Sequence, residues 1–117
     1  MREIEIRPFS AADRDWLVQV HIDTYERDEG FDASFGVLVA QIVDDFLRDH
    51  DSAVERGGIV WDGDTRLGSI FCVRLDAHTG KLRLFQLVPQ ARGRGVGLRL
   101  LQTCTDFARS CGYNTIK

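Results

Sequence analysis

The chain has 117 residues, enough for one domain with a real core and too few for two. Hydrophobic residues make up 44% and charged residues 28%, with two prolines and no low-complexity tract, a composition that excludes an intrinsically disordered chain. The net charge of −3 conceals a division: residues 1–80 carry eight Lys and Arg against 17 Asp and Glu, whereas residues 81–117 carry seven against one.

At the N-terminus, MREIEIRPFS has no apolar stretch of signal-peptide length, and no later window approaches the roughly 20 apolar residues of a membrane span. This predicts a cytoplasmic protein with no membrane partner. Glu3 to Arg7 alternates charge and isoleucine as a strand does, and Pro8 stops it. Ser10 with Asp13 three residues later has the form of a capping box, so a helix is expected from about Ala11 to Thr24. An acidic loop, Glu26 to Asp32, follows. Phe35, Leu38, Val39, Ile42, Val43, Phe46 and Leu47 then recur at helical spacing, with Asp32 or Ser34 as the cap and an end near Asp49.

Ile59 to Trp61 and Leu67 to Val73 flank Asp62-Gly63-Asp64-Thr65, a hairpin signal because glycine accepts the positive φ of such a turn. Asp76 to Gly80 is read as a second turn and Leu82 to Val88 as a third strand of the meander. From Val96, the residues Val96, Leu100, Cys104, Phe107 and Cys111 form one helical face, and Gly112 follows as a C-cap. Tyr113 to Lys117 opens another strand. The order β-α-α-β-β-β-α-β describes an α/β (α+β) domain with a mixed, mostly antiparallel sheet. Its one crossover, from Leu82–Val88 through the helix to residues 113–117, predicts parallel pairing. Cys72, Cys104 and Cys111 are odd in number, lack C-x-x-C spacing and lie in apolar-periodic segments, so they are read as reduced core residues; no metal site is indicated.

In QARGRGVGLRLL, Gln90 to Leu101, glycines stand at 93, 95 and 97 just where the last helix begins. A tight turn needs one such residue, sometimes two. Alternating glycines leave successive N–H groups uncovered beside the unsatisfied donors and partial positive charge of a helix N-terminus, an arrangement suited to a phosphate or pyrophosphate. Arg92, Arg94 and Arg99 add charge and forked donors, and any one of them is equally well read as a solvated surface residue. A P-loop would need Lys-Ser or Lys-Thr after its glycines, and a dinucleotide fingerprint from Gly93 would need glycine where Leu98 stands. Arg-Gly-Arg-Gly occurs once and leads into a patterned helix, unlike the disordered repeats that bind RNA, and the net acidity also argues against a nucleic-acid partner.

Arg92-Gly93-Arg94-Gly95-Val96-Gly97 after Leu87-Val88-Pro89 resembles the acetyl-CoA pyrophosphate loop of the GNAT N-acetyltransferase superfamily, whose pattern is (Q/R)-x-x-G-x-(G/A) after a strand ending in Pro. The element order, the Asp-Gly hairpin and Gly68 in its second strand are similar to the first two-thirds of that family's fold. The segments HIDTYERDEGF, KLRLFQLVPQARGRGVG and FARSCGY are similar to GNAT domains fused to MarR-like transcriptional regulators, although no helix-turn-helix segment occurs here. The family continues beyond the point corresponding to Lys117 with a helix and two strands. The resemblance therefore implies a GNAT-like domain over residues 1–117 that stops after the start of its fifth strand, and a homodimer that would cover the exposed edge.

The activity so implied is transfer of an acetyl group from acetyl-CoA to a primary amine of a small molecule or a protein. Leu87, Val88, Arg92, Gly93, Arg94, Gly95, Val96 and Gly97 would bind the cofactor, with the Val88 N–H facing the thioester oxygen. His21, Tyr25 and Glu26 would line the acceptor pocket. Many family members place a glutamate on the strand before the loop, whereas this chain has Arg83 there, so Glu29 is the candidate base. The alternative is a non-catalytic acetyl-CoA- or CoA-binding regulatory module, which Arg83 favours.

Overall fold

A computed structural model describes residues 4–30 and 32–117. Glu3, expected to start the first strand, and Phe31, in the expected acidic loop, lie outside the described residues. The chain divides into two compact units, a helical one of residues 10–50 and a sheet unit made of residues 1–9 and 51–117.

In the helical unit, Ala11–Asp13 form a single 3₁₀ turn and α1 spans Arg14–Glu29. Asp13 closes the turn by accepting the Ser10 N–H at 3.0 Å, as the capping pattern predicts. The expected end at Thr24 is corrected. The Thr24 hydroxyl donates back to the Val20 carbonyl at 3.0 Å and the helix runs on for five residues. Glu26 and Glu29 are therefore helical, not in a loop. Residues 25–29 are polar and show no apolar period, yet Glu and Arg are good helix formers, and the first residue that ends the helix is Gly30 at φ 90°. Helix α2, Ala33–Asp49, starts at Asp32, whose carboxylate accepts the Ser34 N–H at 3.0 Å and hydroxyl at 2.7 Å, so Asp32 and not Ser34 is the cap.

The two helices are joined by side chains at both ends. Arg14 makes a forked contact with Asp44, at 2.7 and 3.1 Å, and its hydrogen bonds hold the Asp44 carboxyl below the usual carboxylate range. Tyr25 stacks on Phe35 with ring centroids 4.0 Å apart. Gly36 permits a close approach between them, since a Cβ there would lie 3.0 Å from Ile22 Cδ1.

The sheet unit has five strands in sequential order: β1 Ile4–Pro8, β2 Arg56–Asp62, β3 Thr65–Asp76, β4 Thr79–Leu87 and β5 Thr115–Ile116. The first three pairings are antiparallel and β4–β5 is parallel, as the crossover through α3, Val96–Ser110, predicts. The β2–β3 turn has two central residues with positive φ only at Gly63, 59°, as type II′ hairpins require. The second turn is shorter than expected: Asp76 pairs with Thr79, so Thr79 and Gly80 belong to β4. An Asp76 carboxylate oxygen takes the His78 N–H at 2.8 Å and closes that turn without glycine. Tyr113 precedes β5 and does not join it. Its ring is buried and its hydroxyl donates to the Val54 carbonyl at 2.8 Å.

Val96, Leu100, Cys104 and Phe107, the predicted apolar face of α3, enter one core with Val60, Leu67, Ile70 and Cys72 from the sheet. All three cysteines are free thiols. A hydrogen bond between Cys72 and Cys104, with burial, pushes the Cys72 thiol well above its ordinary range, so Cys72 stays a protonated core residue.

Candidate functional site

Strand β4 is irregular in its middle. Ser69 pairs with Gln86 but Phe71 pairs with Arg83, so β4 holds one more residue than β3 between these points. Leu84 absorbs the extra residue at φ 50°, the left-handed region that a leucine enters at a cost of about 1–2 kcal/mol. The fully buried Ser69 hydroxyl holds it there, donating to the Leu84 carbonyl at 2.6 Å.

Beyond this bulge the register decides which amides face outwards. The Val88 N–H donates to the Leu67 carbonyl at 3.0 Å. It therefore belongs to the β3–β4 ladder and does not face a thioester oxygen, which corrects the expectation for Val88. Successive N–H groups of a strand point to opposite edges, so the N–H of Leu87 points away from β3. The side chain of Leu87 is packed on the core side by two glycines. A Cβ at Gly68 would lie 2.6 Å from its Cδ2, and one at Gly97 3.2 Å from its Cδ1.

A 3₁₀ turn, Pro89–Ala91, leads from β4 to the glycine loop, and Ala91 is buried beneath it. Gly93 and Gly95 have φ of 78° and 74°, and nothing lies within 4 Å of where a Cβ would project from either. The two residues are thus required by backbone conformation and leave open space above the chain. Gly97 has a different role, the close approach of α3 to Leu87. The first i to i−4 bond of α3 joins the Arg99 N–H to the Gly95 carbonyl at 3.1 Å, so the N–H groups of Val96, Gly97 and Leu98 form the open first turn. Not every amide of residues 92–97 is available. Those of Arg92 and Arg94 turn back to the carbonyls of Pro89, at 3.2 Å, and Ala91, at 3.4 Å. The loop thus sets free N–H donors at a helix N-terminus beside the exposed Arg92 and Arg99, an arrangement whose chemistry suits an anion. Arg94 is engaged with Asp62, at 3.1 Å.

The acceptor-side candidates lie in the helical unit. His21, Tyr25 and Glu29 follow one another at four-residue spacing along one face of α1, whereas Glu26 is turned about 100° from Tyr25 around the axis. His21 Nδ1 lies 2.8 Å from the Leu17 carbonyl, which can only accept, so this nitrogen carries the proton. Nε2 is left with its lone pair, buried and without a partner. Burial lowers the His21 pKa below its ordinary value and keeps the ring neutral. Glu29 is exposed at the C-terminal end of α1. Sequence reasoning missed Ser69, Leu84 and Asp62. Nothing local marks the first two, and Asp62 reads only as a turn residue.

No helix of the described residues is long and apolar enough to cross a membrane, and no group of His, Cys, Asp and Glu among them is arranged to hold a metal ion. No curated protein matches the sequence. Solved structures do. An acetyltransferase from Streptococcus agalactiae is 20% identical, with a TM-score of 0.77 over 99% of this chain and 72% of its own. The predicted acetyltransferase of Clostridium acetobutylicum, solved with acetyl-CoA, is 14% identical, with a TM-score of 0.77 over 98% and 79%. A transcriptional regulator from Bacillus halodurans is 16% identical, with a TM-score of 0.74 over 97% and 79%. At these identities the likeness is one of fold. The sequence of residues 14–117 matches the family described as Acetyltransferase (GNAT) family, and the chain belongs to that family.

Proposed function

We propose that this chain binds acetyl-CoA and transfers its acetyl group to a primary amine. The observation that carries the reading is the open first turn of α3 behind Gly93 and Gly95, at the end of a strand whose Leu87 N–H faces away from the sheet. In this reading the pyrophosphate rests on the N–H groups of Val96 and Gly97 and on the bare backbone of Gly93 and Gly95, with Arg92 adding charge. The pantetheine amides pair with the outer edge of β4 from Phe85 to Leu87. The Leu87 N–H, rather than that of Val88, donates to the thioester oxygen and stabilises the negative charge that develops there.

The amine nitrogen attacks the thioester carbon, the oxyanion collapses, the C–S bond breaks, CoA leaves as thiolate, and the proton the nitrogen sheds on becoming an amide ends on that sulfur. An alkylamine with a pKa near 10.4 must first lose a proton. Glu29, exposed at the end of α1, is the acceptor-side group proposed for that role, whereas His21 Nε2 keeps its lone pair buried away from any substrate. Tyr25 and Glu26 remain acceptor-side residues in this reading.

Calorimetric titration with acetyl-CoA and desulfo-CoA, repeated on Gly95→Ala, tests the cofactor site. Binding by the wild type that the variant loses supports it, and no binding by the wild type overturns it. Thiol release from acetyl-CoA across a panel of amines then separates the enzyme from a binding module. CoA binding without turnover on any amine would assign the chain to the latter.

A further inference from the structure

Arg94 stands between Gly93 and Gly95, both in the left-handed region with open space around them, and the nearest backbone bonds of the loop, at 3.2 and 3.4 Å, are long. Little in the backbone itself fixes the cradle. Its side chain reaches out of the loop to the sheet, where the guanidinium donates to Asp62 Oδ2 at 3.1 Å across 32 residues of sequence. Asp62 is a firm anchor: it closes β2, is in register with Ile4 of β1 and Thr65 of β3, and precedes the Gly63 turn. Its side chain is only 20% exposed, and Oδ1 is buried without a hydrogen-bond partner. With one oxygen shut off from water the carboxylate draws on its countercharge, and a phosphate that pulled Arg94 away would weaken that compensation.

We infer that Asp62 is a positioning residue for the pyrophosphate loop, acting through Arg94, which serves as a strut between loop and sheet and not as a phosphate ligand. This inference rests on the proposed cofactor reading. The pair holds the two glycine turns in the conformation that exposes the first-turn amides, so that ordering the loop is not charged against cofactor binding.

The experiment is a double-mutant cycle on the full chain with Asp62→Ala, Arg94→Ala and the double variant, titrated with acetyl-CoA and with S-acetylpantetheine, which has the thioester but no pyrophosphate. Each single variant is expected to weaken acetyl-CoA binding by the same factor, about five- to tenfold, with the double no worse than either. Affinity for S-acetylpantetheine should stay within about twofold, a selectivity that general loss of packing would not produce. Asp62→Glu should restore part of the loss. Asp62→Asn, close in shape, gives the same readout if the alanine variant does not fold. Acetyl-CoA affinity unchanged or improved in the Asp62 variants, or an Arg94→Ala loss that greatly exceeds and adds to theirs, would make Arg94 a phosphate ligand and overturn the inference. Absence of acetyl-CoA binding by the wild type, or no effect of Gly95→Ala, would instead remove the cofactor reading, and the inference with it.

Discussion

The Ser69 hydroxyl and the Leu84 carbonyl, 15 residues apart and joined at 2.6 Å, hold β4 in its bulge. A buried hydroxyl thus offsets a left-handed leucine, and beyond the extra residue the strand presents the Leu87 N–H to its outer edge. Ser69→Ala should therefore lower stability by about 1–2 kcal/mol in a denaturant titration. It should also raise the KM for acetyl-CoA several-fold, more than an alanine substitution at the exposed Thr65 does. A loss of stability with unchanged KM would mean that the bulge persists without this bond.

Amide-to-ester replacement, which removes one N–H, separates the two neighbouring backbone positions. At Val88 it deletes the bond to Leu67 and should cost about 1 kcal/mol of stability with little change in kcat. At Leu87 it should leave stability nearly unchanged and lower kcat by about 10²–10³-fold, the usual effect of removing an oxyanion donor. The reverse pattern would restore the role to Val88.

Three glycines should respond to alanine in two different ways. At Gly93 or Gly95 the new Cβ meets nothing within 4 Å, so the cost is backbone strain alone, about 1–2 kcal/mol. At Gly68 the Cβ would lie 2.6 Å from Leu87 Cδ2 and 2.8 Å from the Gln86 carbonyl oxygen. The backbone oxygen cannot rotate aside, and β4 itself must shift, at about 1–3 kcal/mol. Melting temperatures of the ligand-free variants check this: all three should fall, and Gly68→Ala should fall the furthest.

His21 makes the protein acid-sensitive. Its pKa in the fold lies below the ordinary 6.5, so between these two values the unfolded chain binds a proton that the folded chain does not. The contribution is full above pH 6.5 and is lost as pH falls through that window towards the folded pKa. Melting temperature should fall between pH 7.5 and 5.5, and His21→Gln should flatten that part of the profile. Glu29→Gln should lower kcat/KM far more than His21→Gln does. Equal effects, or a larger one at His21, would move the proton-acceptor role to the histidine.

Local chemistry in the sequence determined the order of elements, the capping box at Ser10, the Gly63 turn, the apolar face of α3 and the glycine-rich entry to that helix. Each depends on residues within a few positions of one another: a carboxylate three residues after the N–H it accepts, a glycine where φ must be positive, an apolar residue at every turn of a helix. Even here, the end of α1 was hidden, because a polar stretch of helix formers looks the same as a polar loop until Gly30 ends it. Tertiary structure alone decided the rest. Leu84 has no intrinsic tendency to positive φ and takes it because Ser69 lies opposite in the sheet. The outward position of the Leu87 N–H and the inward one of Val88 follow from strand register, in which a shift of one residue exchanges the two edges. Arg94 and Asp62 meet because β2 and the loop are brought side by side from 32 positions apart, a proximity on which no spacing rule bears.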